Sequence, residues 1–144
     1  MAYGPNPPAI QAHLCVSDGL AAIRFYESAF GGVCSFKQMA QDGRRVLHAN
    51  IELFGGEVML HDQFPECAPD VLSPDVSGAA SMAINVNLRR PDDVDATVGR
   101  AVTAGASITA PVEDQFWGAR YGRIRDPFGH IWAFNAPLNR AEAK

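Results

Sequence analysis

The sequence predicts an α+β fold of two tandem βαβββ modules, with helices on the outer face of a mixed β-sheet. Three observations carry this expectation. Residues 18–31, DGLAAIRFYESAFG, reappear in pattern as residues 92–105, DDVDATVGRAVTAG, so that Asp18 maps onto Asp92 and Gly31 onto Gly105 at one offset of 74 residues. Each copy carries apolar residues at helical spacing. The segments around them read as strands whose alternate residues separate into an apolar set and a mixed polar set.

Taken in order, the first module occupies about 9–62, a linker 63–78, and the second module about 79–136. An alternating strand through Gln11, His13 and Cys15 opens the first. A helix follows, with Leu20, Ile23, Tyr26 and Phe30 on one stripe. Asp18 or Ser17 suits its N-cap, where a side-chain oxygen accepts an otherwise orphaned N–H. Gly31 suits the position just past its end, where φ must be positive. Strands are expected at 32–39, 45–53 and 57–62. The linker is rich in Pro, Asp and Ser and lacks either period, and its length is also compatible with a lid. The second module repeats the plan: a strand through Ala83, Asn85 and Asn87, then a helix capped by Asp92 with Val94, Val98, Ala101 and Val102 inward. Strands follow at 107–113, 120–125 and 130–135. Asp126-Pro127-Phe128-Gly129 is a turn, since Pro presets φ at its second position and Gly closes it. The offset of 74 carries Phe54-Gly55 onto Phe128-Gly129, Val58 onto Trp132 and Leu60 onto Phe134.

Composition narrows the partners. With 144 residues, 47% of them hydrophobic and 19% charged, the chain is long enough to bury a core. No apolar run reaches the roughly 20 residues that span a bilayer. Residues 1–8 lack a basic stretch followed by an apolar one, so no secretory signal is expected there. Three cysteines without C-x-x-C spacing fit a reducing cytoplasm better than a disulfide framework. A net charge of -4, with arginines scattered from Arg24 to Arg125, argues against nucleic acid or a membrane surface as partner.

The two strand faces differ in chemistry. One parity class holds Leu14, Val16, Val58, Leu60, Met82, Ile84, Val86, Leu88, Trp132 and Phe134, all apolar, and is the face the helices cover. The other holds Gln11, His13, Cys15, Met59, His61, Ala83, Asn85, Asn87, Ile131, Ala133 and Asn135. Pairing across Pro127-Phe128 sets Gly122 opposite Ala133 and Arg120 opposite Asn135. Pairing across Phe54-Gly55 sets His48 opposite Met59 and Val46 opposite His61. Three of four histidines then share a face with amides, one arginine and apolar neighbours. A solvated sheet face is the plain alternative; the apolar residues among hydrogen-bonding groups favour a pocket lining.

Phe116-Trp117-Gly118-Ala119-Arg120-Tyr121, followed by Arg125-Asp126-Pro127-Phe128-Gly129-His130, resembles the closing segment of the vicinal oxygen chelate superfamily, which unites glyoxalases, bleomycin-resistance proteins and extradiol dioxygenases. The W-G-x-R-Y element is most similar to antibiotic-binding and PhnB-like members, and the F-Y-x-x-A-F-G ending at Gly31 resembles their first helix. The resemblance covers nearly the whole chain. It implies eight strands curled into a cup, in a homodimer. Its metal-dependent members place four ligands, typically His and Glu, on equivalent strands of the two halves. Here those positions fall on Gln11, Met59, Ala83 and Ala133, a set that does not suit Zn²⁺, Ni²⁺ or Fe²⁺. No metal and no cofactor are therefore expected. One step along each strand lie His13, His61, Asn85 and Asn135, and a displaced site of His13, His61 and His48 is the alternative; no carboxylate accompanies them. Hydrogen bonding to each other, water or ligand is the simpler account.

The leading expectation is thus a metal-independent protein that binds a small aromatic or anionic metabolite or antibiotic. Gln11, His13, His48, His61, Asn85, Arg120 and Asn135 supply polar contacts, and Met59 and Trp117 supply apolar and aromatic ones. Trp117 is expected at the mouth of the cup, where it stacks on a planar ligand, and Arg120 is expected to fork onto an anionic group. Cys15 and His130 read as structural. A metal-dependent glyoxalase-like lyase or isomerase, or a dioxygenase, is the second hypothesis, and a protein-binding sheet surface the third.

Overall fold

The computed structural model describes residues 6–138, so only part of the 1–8 segment is covered. The chain divides into two compact units, Met1–Ala79 and Ala80–Lys144. The first contains β1 (His13–Val16), α1 (Gly19–Phe30), β2 (Val33–Met39), β3 (Val46–Leu53), β4 (Gly56–Asp62) and the one-turn helix α2 (Pro74–Ser77). The second contains β5 (Ala83–Asn87), α3 (Pro91–Ala104), β6 (Ser107–Asp114), β7 (Ala119–Arg125) and β8 (Ile131–Pro137). Each unit folds as the expected βαβββ module around a four-stranded mixed sheet, ordered β1-β4-β3-β2 in one and β5-β8-β7-β6 in the other. The first strand of each module runs parallel to the last, and the remaining pairs are antiparallel.

Asp18 caps α1 by accepting from the Ala21 N–H, and Gly31 ends it at φ 65°. The helix buries Ala22, Ile23, Phe25, Tyr26, Ala29 and Phe30 in the first module, whose sheet contributes Leu14, Val16, Ile51, Val58 and Leu60. Gly19 is dictated by the close approach of β4: a Cβ there would collide with Asp62 Oδ2. The Asp62 carboxylate accepts from the Gly19 and Val46 N–H groups, joining the start of α1 to two strands. The linker holds one helical turn, α2, which the lack of period over 63–78 did not reveal.

In the second module the helix begins earlier than its acidic residues suggest. Pro91 takes the first helical position and Asp92 lies inside the helix, while Asp93 accepts from the Arg90 N–H. Pro suits that position because the N–H it lacks has no helical partner. Val94, Val98 and Ala101 are buried with Val86, Ile124, Trp132 and Phe134, whereas Val102 is exposed. Met82, expected in the core, precedes β5 and is 62% exposed.

Two face assignments change. The β7–β8 connection is a five-residue loop, Arg125 pairing with Ile131, so Gly122 stands opposite Phe134 and Arg120 opposite Ala136. Asp126 holds the loop at this length. Its Oδ1 accepts the N–H groups of Phe128 and His130, and its Oδ2 accepts the indole N–H of buried Trp132 at 2.9 Å. A one-residue slip of register turns every side chain of the strand over. Gly122 and Arg120 therefore face α3: a Cβ on Gly122 would lie 3.4 Å from Val98. Tyr121, Arg123 and Arg125 take the opposite face, beside Asn135, Ala133 and Ile131. In the first module, β3 bulges at Leu47, because Gln38 pairs with His48 and Met39 with Val46. Val46 thereby turns inward, fully buried against Gly19. The β3–β4 hairpin is also two residues out from the expected pairing, so Asn50 rather than His48 stands opposite Met59, and that even shift leaves His48 on its face.

Candidate functional site

On the helix-free face of the first module, β1, β3 and β4 bring together three imidazoles. The His13 ring lies 4.7 Å from that of His61 and 5.4 Å from that of His48, both edge to face. His61 Nδ1–H donates to the Asp62 carbonyl at 2.6 Å, which fixes the ring and leaves its Nε2 edge to other partners. His48 Nε2 bonds the side-chain oxygen of buried Asn50. Burial, and then the neighbouring His61 and His48, push the His13 imidazole below its ordinary value. His13 is therefore biased toward its uncharged form.

Met59 is half-buried beside His13. Gln11 donates to Glu57 Oε1 at 2.6 Å. Glu57 shares the strand parity of Met59 and His61, so a carboxylate does accompany this face, contrary to the sequence expectation. Cys15 is buried, and its thiol lies 3.5 Å from the Val71 carbonyl of the linker. Burial, with Asp62 and Asp75 nearby, pushes it up to about 11, so it is a packing group and not a nucleophile near neutrality.

The second module presents a different surface. Asn135 donates to Asn85, and Asn85 donates to Asn87 at 3.1 Å. This amide relay is directional: it ends in the free donor capacity of the Asn87 NH₂ and the acceptor capacity of the Asn135 oxygen. Both ends border an open depression of about 550 Å³ that is also lined by Leu88, Trp117, Ala119 and Pro137. Trp117 is 52% exposed and packs edge-on against Tyr121 and Phe116, the latter almost fully exposed. At the other end of the same face, Arg123, Thr109, Ser81, Met82, Ala83 and Ile131 line a second depression of about 320 Å³.

Arg120 does not join this surface. Its guanidinium forks onto Asp95 of α3, at 2.7 and 2.9 Å, and its third arm reaches Asp114. The five-residue loop turns β7 over, so Arg120 stands opposite Ala136 and not Asn135 as expected from the sequence, on the α3 side of the sheet. Arg123 and Tyr121 are the residues that the five-residue loop adds to this face, beside Asn87, which strand parity already placed there. Asp126 was the available signal, being an acid able to close a loop longer than a four-residue turn.

At the positions to which the resemblance assigns metal ligands, Gln11, Met59, Ala83 and Ala133, stand an amide, a thioether and two methyl groups, a set that does not fit a divalent transition metal. Among the described residues, no three of His, Cys, Asp and Glu are arranged to hold a metal ion. The nearest approach, the three imidazoles, has two rings already engaged by protein hydrogen bonds.

Comparison with known proteins agrees with this architecture. Residues 9–134 match the model of the glyoxalase/bleomycin resistance protein/dioxygenase superfamily. An uncharacterized protein of Mycobacterium tuberculosis, Rv0887c, is 39% identical over 132 residues, 91% of this chain and 75% of that protein. The Arabidopsis thaliana protein At5g48480 is 33% identical over 121 residues, 78% of this chain and 68% of its own. The crystal structure of TioX from Micromonospora sp. ML1 matches with a TM-score of 0.66 and 26% identity, covering 91% of this chain and 97% of TioX.

Proposed function

The chain belongs to the glyoxalase/bleomycin resistance protein/dioxygenase superfamily, and on that premise we propose that it binds a small planar or anionic metabolite or antibiotic without a metal. The observation that carries the reading is the depression bounded by Trp117, Asn87 and Asn135. Its size suits a small molecule. An exposed indole supplies a stacking face, and the amide relay supplies one donor and one acceptor edge. Taken by itself, the imidazole face of the first module, with Gln11, His13, His48, Met59 and His61, is a second ligand-contacting surface in this reading. Arg120 is left out of the proposal because two carboxylates already occupy it.

Intrinsic fluorescence tests this directly, because the two tryptophans are so differently placed. Trp132 is fully buried and gives a constant background, while Trp117 reports on the depression. A panel of planar aromatic metabolites and antibiotics is expected to include compounds that quench the wild type saturably and leave a Trp117→Leu variant unchanged. Quenching by no member, or equal quenching in the variant, removes the proposal.

Metal independence is part of the same reading, supported by the donor chemistry above. Elemental analysis after expression in medium supplemented with Zn, Ni, Mn and Fe is expected to find each well below one equivalent. One bound equivalent would instead favour a metal-dependent lyase, isomerase or dioxygenase. We extend the proposal to a cytoplasmic homodimer, on the family resemblance. Light scattering on the eluted protein checks the dimer through its mass.

A further inference from the structure

We propose that Arg123 heads a carboxylate-binding subsite at the β5 end of the second module's open face, taking the acid group of a ligand whose apolar body lies along Met82, Ala83 and Ile131. The inference rests on the reading of that face as a ligand surface and names the chemistry at its other end. Three of the chain's arginines show the contrast. Arg45 is held by Asp42 and Glu66, and Arg120 by Asp95 and Asp114. Arg123 makes no ion pair among the described residues, yet it is half-buried and oriented, its Nε donating to Thr109 Oγ1 at 3.1 Å. That bond fixes the plane of the guanidinium and leaves its terminal N–H groups unassigned, the arrangement a carboxylate meets with two parallel hydrogen bonds.

The lining adds to the argument. It contains no acidic residue to compete for the guanidinium. It offers a second hydroxyl, on Ser81, beside the apolar Met82, Ala83 and Ile131. Arg125 lies two residues further along β7 on the same face and adds charge of the same sign. A single fork next to an apolar wall suits a monoanionic carboxylate better than a phosphate dianion, which calls for several cations or a nest of backbone N–H groups. Ile131 and Asn135 lie four residues apart on β8, roughly 13 Å along the strand. The acid end and the aromatic end are thus separate subsites on one surface.

The test uses the full chain and named probes: benzoate and hexanoate, their amides benzamide and hexanamide, and phenyl phosphate, followed by thermal shift and calorimetry at low salt. The two carboxylates are expected to stabilise the protein saturably, less so as ionic strength rises, and the amides are not. Arg123→Gln is expected to weaken benzoate binding by about tenfold or more, the size of a hydrogen bond to a charged group. Arg123→Lys recovers part of it through charge alone, and Thr109→Val falls between wild type and Arg123→Gln. Equal binding of acids and amides, unchanged benzoate affinity in Arg123→Gln, or stronger binding of phenyl phosphate than of benzoate would each overturn the carboxylate assignment. If planar neutral compounds still quench Trp117 while carboxylates fail, the ligand face stands and the acid subsite falls; if neither binds, both fall.

Discussion

Single residues decide which groups are offered to a ligand. His13 sits where burial and two neighbouring imidazoles disfavour its charged form. Nuclear magnetic resonance titration is expected to place its pKa below that of an exposed histidine, and His61→Gln is expected to raise it toward the ordinary value. A pKa that is lower in the folded chain means that the unfolded chain binds the proton more readily. The stability tied to His13 is therefore complete above the ordinary histidine value and is lost as pH falls through the depressed one. The thiols give a second check. Exposed Cys67 is expected to react quickly with a disulfide reagent near neutral pH, and Cys15 only on unfolding, because its pKa lies near 11 under the linker. Fast modification of Cys15 itself in the native protein, located by peptide mass spectrometry, would contradict that packing. The imidazole cluster was legible from strand parity alone, since an even shift of the β3–β4 hairpin keeps its face. The fate of Arg120 was not, because its partner Asp95 is brought to it by the packing of α3 on the sheet and lies 25 residues away in the chain.

At the scale of elements, two buried aspartates set the geometry on which the site depends. Asp62 ties β4 to α1 and β3, and Asp126 ties both ends of the β7–β8 loop to Trp132. Asp126→Ala leaves three donors without their acceptor, and each such loss costs about 1–3 kcal/mol. Denaturant unfolding is expected to show a loss of at least about 3 kcal/mol; a loss below 1 kcal/mol would mean that the loop holds its length by other means. Asp126→Asn keeps one acceptor oxygen and is expected to fall between. The strand limits were readable to within one or two residues, because alternation and the Gly and Pro punctuation mark them sharply. The face of β7 was not. It depends on whether the loop holds an even or an odd number of residues, and the D-P-F-G turn supports either count until the side chain of Asp126 is seen to reach His130. The β3 bulge at Leu47 escaped for a similar reason: nothing in the local alternation signals an extra residue there.

For the whole molecule, the duplicated plan was legible and the division of labour between its halves was not. Both modules share one strand order and one way of covering a sheet with a helix, yet one exposes imidazoles and the other amides, aromatics and arginines. Arg45 binds the linker to the β2–β3 loop through Glu66, the Gln63 carbonyl and the ring of Phe64. The backbone N–H groups of Arg45 and Arg44, and then the Arg45 side chain, hold Asp42 below the usual carboxylate range, and the Arg45 side chain does the same for Glu66, so acidification is expected to release this clamp. Limited proteolysis across 63–78, faster at low pH in the wild type and fast at every pH in Arg45→Ala, checks it. The central claim concerns the open face of the second module, and one measurement addresses it most directly: nitrogen–proton spectra of the full chain, in EDTA, titrated with quinoline-2-carboxamide, a planar neutral compound. The account predicts saturable shifts of the Trp117 indole N–H and of the Asn85, Asn87 and Asn135 side-chain amides, with the Trp132 indole and the Arg120 Nε–H unmoved. Shifts that are absent, or confined to Trp132 and Arg120 on the helix side, would contradict it.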